Sequence, residues 1–114
     1  MVQDIIINIQ KKENNMLNED YKFKTTFWND FTIADAFGVS AIEDTFKRAF
    51  EEWKYNYIYL TELVLVLNWK IWEHWDKNND KLASVYNKLW LKAQDYGYDN
   101  LKDEQLKYFI QTLD

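Results

Sequence analysis

The sequence predicts an all-α protein, a small antiparallel bundle of four to five helices with a short, extended or disordered N-terminal arm. Three observations carry that reading. The 114 residues include no proline and only two glycines, so few positions interrupt a helix. Apolar residues from Ala41 onward recur at spacings of three and four, the period of a helix with one buried face. The segments between these periodic stretches are short, as antiparallel neighbours require.

Taken in order, residues 1–20 are rich in Asn, Lys and Glu after a short isoleucine run and develop no helical period, which predicts a flexible arm ahead of a single domain over 21–114. Tyr21, Phe23, Thr25 and Phe27 alternate with polar residues and predict a short extended stretch. A short helix over about 29–37 should stop at Gly38, the residue best able to take a left-handed cap. Ser40 and Glu43 have the spacing of a capping box and predict a helix start. That helix carries Ile42, Phe46, Ala49, Phe50, Trp53 and Tyr57 on one stripe, with a bend expected near 54–57.

The next helix, 58–77, is unusual because its apolar residues fall on two stripes. Leu60, Leu63, Val64, Leu67, Ile71 and Trp75 form one; Ile58, Leu65, Trp69 and Trp72 form another on the opposite side. Such a helix is central to the bundle or keeps a face for a partner. Asn78, Asn79 and Asp80 predict a turn with Asp80 as the cap of a helix that carries Leu82, Val85, Tyr86, Leu89, Trp90, Ala93 and Tyr96 and ends at Gly97. A last helix over 103–113 presents Leu106, Phe109, Ile110 and Leu113.

Charge narrows the function classes. The net charge is −5, with basic and acidic groups balanced four to four in 1–26 and five to five in 81–114, so ten acids against five bases in 27–80 account for the whole excess. Arg48 is the only arginine, and no basic cluster exists to neutralise phosphates, so direct nucleic-acid binding is not expected. The longest apolar runs are too short to span a bilayer, and with no cysteine the chain reads as a cytoplasmic protein without disulfides or thiolate-held metals. Asp30, Asp35, Glu43, Asp44, Glu51, Glu52, Glu62 and Glu73 read as a solvated acidic face, or as a patch that steers a basic partner where several converge.

No catalytic residue, cofactor site or metal site is predicted, and the chain is not expected to be an enzyme. The single histidine, His74, sits at the border of the core stripe and reads as structural; no paired Glu-x-x-His motif, Gly-rich phosphate loop or Gly-x-Ser-x-Gly elbow is present. The aromatic content is the outstanding feature, at 18% of residues, including six tryptophans. Trp and Tyr are enriched at binding hot spots because they offer large rigid area with a polar tip. Ile58, Leu65, Trp69 and Trp72 are therefore the expected partner-binding anchors, with Glu62 and Glu73 beside them to meet Lys or Arg. The alternative reading of the same stripe is a self-associating structural module that forms a homodimer.

The segments FKTTFWNDFTIADAFG, IEDTFKRAFEEW, YLTELVLVLNWKIWEHW, SVYNKLW and NLKDEQLKYFIQTLD, from Phe23 to the C-terminus, resemble a family of short proteins carried by bacteriophages and mobile elements. Small acidic proteins of that type include anti-CRISPR and other counter-defence factors. The resemblance implies a non-enzymatic inhibitor or modulator that occupies the surface of a host defence complex, such as a CRISPR nuclease or its ribonucleoprotein, in the bacterial cytoplasm.

Overall fold

The structure is a computed structural model that describes residues 14–113, with side chains from residue 26 onward. Among the described residues five helices follow one another: α1 Asn14–Phe37, α2 Val39–Trp53, α3 Tyr57–Asp76, α4 Asp80–Asn100 and α5 Asp103–Leu113. No strand occurs among the described residues, and the all-α expectation holds. Of the arm expected over 1–20, residues 1–13 lie outside them, and residues 14–20 are the first turns of α1, continuous with the helix that follows.

The extended stretch expected at 21–27 is instead part of α1. Phe27, Phe31 and Ala34 are buried on one face at spacings of four and three, and Phe23 precedes Phe27 by the same interval. No Gly or Pro intervenes, so helix propagates back through a stretch whose short alternation fits either period.

Gly38 separates α1 from α2 as a single residue. Its amide bonds to Ala34 O at 3.0 Å, closing α1, while its own carbonyl accepts from Ile42 N at 3.1 Å, opening α2. A φ of 110° permits this reversal, and that backbone state is open to glycine far more readily than to other residues. The helix therefore starts at Val39, and Gly38 caps it without a side-chain hydrogen bond. The expected Ser40–Glu43 capping box does not form, because Ser40 already lies inside the first turn.

The bend expected near 54–57 is a full break. Lys54 ends α2, and Asn56 caps α3 by accepting from the Ile58 and Tyr59 amides. At its other end α3 closes in a Schellman motif: Asn78 takes φ 59°, its amide bonds to Trp75 O at 3.0 Å, and the Asn79 amide bonds to His74 O at 2.8 Å. Asn79, one residue before the expected Asp80, then caps α4 by accepting from the Leu82 amide. Gly97 does not end α4, which runs on to Asn100. Gly97 is instead buried against the Phe109 ring of α5, where a Cβ would overlap the ring.

The helix α3 packs against all four others. Its residues Leu60, Leu63, Val64, Val66 and Leu67 are fully buried and form the centre of a core that also takes Phe27 and Phe31 from α1, Ile42, Phe46 and Phe50 from α2, Tyr86 and Ala93 from α4, and Phe109 from α5. Aromatic rings join these layers edge to face, Phe31 to Tyr86 at 5.6 Å and Phe50 to Tyr96 at 5.3 Å. No helix among the described residues is long and apolar enough to cross a membrane.

Candidate functional site

Two features of α3 depart from ordinary core packing. The first is a ridge of tryptophan on its last two turns. Trp69, Trp72 and Trp75 are 42%, 57% and 59% exposed, although the helix is fully buried from Leu60 to Val64. At a rotation of about 100° per residue, spacings of three place consecutive indoles about 60° apart, so the three rings wind round one side of the helix as a continuous strip. With about half of each side chain exposed and roughly 150 to 250 Å² per tryptophan, the strip reaches about the lower end of the largest apolar patches of typical monomers.

The geometry explains why the ridge emerges where it does. With 20 residues α3 is about 30 Å long, whereas the 11 residues of α5 reach only about 16 Å. The first residue of α3 meets the middle of α5, where the Tyr57 and Tyr108 rings pack edge to face at 5.3 Å. The second stripe is half-buried at Ile58 and Leu65 and exposed at Trp69 and Trp72. Trp75, assigned from its spacing to the core stripe, is also exposed; the burial of that stripe fades at the half-buried Ile71. Nothing in the pattern of residues distinguishes a stripe that loses its cover part way, so the third indole could not be found from the sequence.

The expected acidic neighbours are placed differently. Glu62 is 1% exposed and lies in the interior, so it drops out of any recognition face. Glu73 is half-buried and held by Lys70 at 2.9 Å and Lys77 at 3.3 Å. Of the eight acids read as a solvated face, Asp30, Glu43, Asp44, Glu51 and Glu52 are exposed, while Asp35, Glu62 and Glu73 are drawn inward.

The second feature is a buried polar cluster on the side of α3 that faces α1 and α4. The Lys70 side chain has no exposure at all. Its ammonium donates to Thr32 Oγ1 at 2.7 Å, Asp35 Oδ2 at 3.0 Å and Glu73 Oε1 at 2.9 Å, and lies 4.2 Å from the centre of the Trp28 ring. Three acceptors use all three N–H donors, and the indole face covers the remaining approach. Asp35 also receives the Tyr86 hydroxyl on Oδ1 at 2.5 Å and lies 2.9 Å from His74 Nε2 through Oδ2. An ionised carboxylate only accepts, so His74 carries its proton on Nε2.

This arrangement decides what the titratable groups can do. His74 is 5% exposed, its ring stacks on Tyr86 at 5.5 Å, and Nδ1 is sealed from solvent without a hydrogen-bond partner. With one nitrogen engaged by Asp35 and the other enclosed, the imidazole packs α3 against α1 and α4. Burial, then the hydrogen bond and charge of Asp35, push the Tyr86 phenol far above its usual range, so it stays a donor. Burial pushes the Glu73 carboxyl up, but the hydrogen bonds and charges of Lys70 and then Lys77 outweigh it and hold it below the ordinary value. Asp35, Glu73 and His74 bring one ligand atom each within 4.8 Å of one another, a spacing a divalent cation could bridge. The Lys70 ammonium already supplies the positive charge between the two carboxylates, and a metal would have to displace it. Comparison of the chain with models of known families, with characterised proteins and with solved structures finds no match.

Proposed function

We propose that the protein acts by binding another protein, without catalysis, through the Trp69–Trp72–Trp75 ridge. The observation that carries this reading is the exposure of three indoles in succession on a helix that is otherwise the centre of the core. A fold that needed these rings for packing would enclose them, since burying a large aromatic side chain is worth about 2 to 3 kcal/mol. Partly exposed, they have the size, rigidity and polar N–H tip of hot-spot residues.

The resemblance to phage and mobile-element proteins directs the choice of partner. On that ground the target is a bacterial defence complex, such as a CRISPR nuclease, which the protein inhibits or modulates by occupying its surface. The exposed acids on α1 and α2 support the same reading, because a negative surface speeds encounter with a protein whose grooves are built to hold nucleic acid.

The test is CRISPR interference in a bacterial host expressing the protein, read as plaque counts of a targeted phage. The wild type should raise the counts, and a Trp69→Ala/Trp72→Ala variant that keeps its helical circular dichroism should not. Equal counts with wild type and variant would remove the ridge from the mechanism. Light scattering over a range of concentrations addresses self-association through the same face: a dimer that dissociates in the double variant replaces the heterologous reading with the homodimer.

A further inference from the structure

The last indole of the ridge also walls a groove. Between the end of α3 and the start of α4 lies a cavity of about 460 Å³ lined by Ile71, Trp75, Asp80, Ala83, Ser84 and Asn87. Ile71 and Ala83 supply aliphatic lining, the half-exposed Trp75 an indole, and Asp80 is the only charged side chain among the lining residues. We infer that this groove seats a basic side chain, arginine above lysine, from the protein that docks on the ridge. The inference rests on the ridge reading and adds to it the chemistry of the partner.

Three observations point to that occupant. The first is charge: the chain carries its whole net charge of −5 within 27–80, and Asp80 places a carboxylate from that region in the groove. The second is the pairing of groups. An indole face attracts a cation through its quadrupole, a carboxylate beside it takes the N–H donors, and the methylene stem of the same side chain packs on Ile71 and Ala83. Arginine fits best because its planar fork stacks on the ring while pairing with the carboxylate.

The third observation is internal to the fold. The protein holds its own buried cation in this manner, with Lys70 4.2 Å from the Trp28 ring centre and 3.0 Å from Asp35. The groove presents an indole and a carboxylate again, and among the described residues no lysine lies over Trp75. Lys77, close to Trp75 in sequence, is engaged by Glu73 at 3.3 Å. The groove is thus a complementary half-site for a cation that comes from outside the chain.

The test needs no identified partner. A capped four-arginine peptide is titrated into the whole protein, and the Trp75 indole N–H signal is followed by NMR, assigned by its loss in Trp75→Phe. A peptide with citrulline at the same positions keeps shape and hydrogen-bonding capacity but lacks the charge. The Trp75 signal should move saturably with arginine and stay still with citrulline, and Asp80→Asn should weaken binding about fivefold, the loss of roughly 1 kcal/mol from an exposed ion pair. Asn at position 80 leaves the Asn79 cap in place, so the variant keeps the start of α4. An immobile Trp75 signal, equal movement with citrulline, or indifference to Asp80→Asn would each overturn the inference. Such a failure leaves the ridge reading standing, since that is decided separately by Trp69→Ala/Trp72→Ala in the interference assay.

Discussion

Lys70 of α3 and Asp35 of α1 form an ion pair 3.0 Å long in which the lysine side chain has no solvent exposure. The pair joins two helices beside the Lys70–Thr32 and His74–Asp35 contacts, and Asp35 also engages His74 Nε2 and the hydroxyl of Tyr86. A buried charge left alone is far more damaging than a buried pair is helpful. Lys70→Met, similar in volume, should therefore destabilise the protein by about 3 kcal/mol or more, because Asp35 loses its charged partner and Glu73 keeps only Lys77. Adding Asp35→Asn should restore part of that loss, with a coupling of about 1 kcal/mol or more in a urea-denaturation cycle. Additive losses would mean that the two side chains are not energetically coupled.

Tyr86→Phe isolates one arm of the same cluster. The hydroxyl donates to Asp35 and lies 3.3 Å from Phe31 O, while the ring keeps its packing on Phe31 and His74. Removal of a hydrogen bond to a charged acceptor predicts a loss of about 1.5 to 3 kcal/mol at neutral pH. The folded phenol is raised above its unfolded value, so its contribution is complete below the unfolded value of about 10 and declines as pH rises above it, where only the unfolded chain ionises. Wild type and Tyr86→Phe should converge in stability above that pH, as measured by chemical denaturation at pH steps from neutral upward.

Glu73 controls the acid side. Its carboxyl is held below the ordinary value by Lys70 and Lys77 against the opposing effect of burial. A depressed carboxylate stabilises the fold above its unfolded value of about 4.3 and loses that contribution as pH falls through the folded value. Glu73→Gln should lower stability at neutral pH and flatten the decline on acidification, with the two proteins approaching each other below about pH 4. Parallel acid limbs in the two denaturation series would contradict this assignment.

Gly97→Ala tests whether a helix-favouring change can be overridden by packing. On propensity alone it should stabilise α4 by about 1 kcal/mol. The new methyl would overlap the Phe109 ring, which is fully buried between α4 and α5. Overpacking of that kind predicts a net loss of about 1 to 3 kcal/mol in thermal or urea unfolding. A gain would show that α5 can shift away from α4 without penalty.

The helices were readable where burial is uniform along an element and unreadable where it changes. Ile42, Phe46 and Phe50, or Leu60, Leu63, Val64 and Leu67, keep one environment for several turns, so a 3.6-residue period identifies their face. Boundaries depended on single-residue geometry: Gly38 both ends α1 and caps α2, and Gly97 serves packing instead of termination. The charged residues were the least legible. Lys70 belongs to neither apolar stripe of its helix, yet it is sealed because Thr32 and Asp35 arrive from a helix 35 or more positions away in the sequence. No local spacing encodes that meeting. Trp69 and Trp72 were identifiable as a second stripe, but whether α5 would be long enough to cover them is a property of the assembled bundle.

That length mismatch leads to the last expectation, which separates a recognition surface from a core. Trp72 and Trp75 are more than half exposed, so truncation should remove little buried area from the folded protein. Trp72→Ser and Trp75→Ser are each predicted to change unfolding free energy by less than about 1 kcal/mol, in contrast to about 3 to 5 kcal/mol for Phe109→Ala in the core. Urea denaturation of the three variants measures the difference directly. The contrast matters because a ring retained for stability and a ring retained for binding make opposite demands on the same substitution. If either serine variant loses as much stability as Phe109→Ala, the indole is part of the folded scaffold, and its exposure is incidental to recognition.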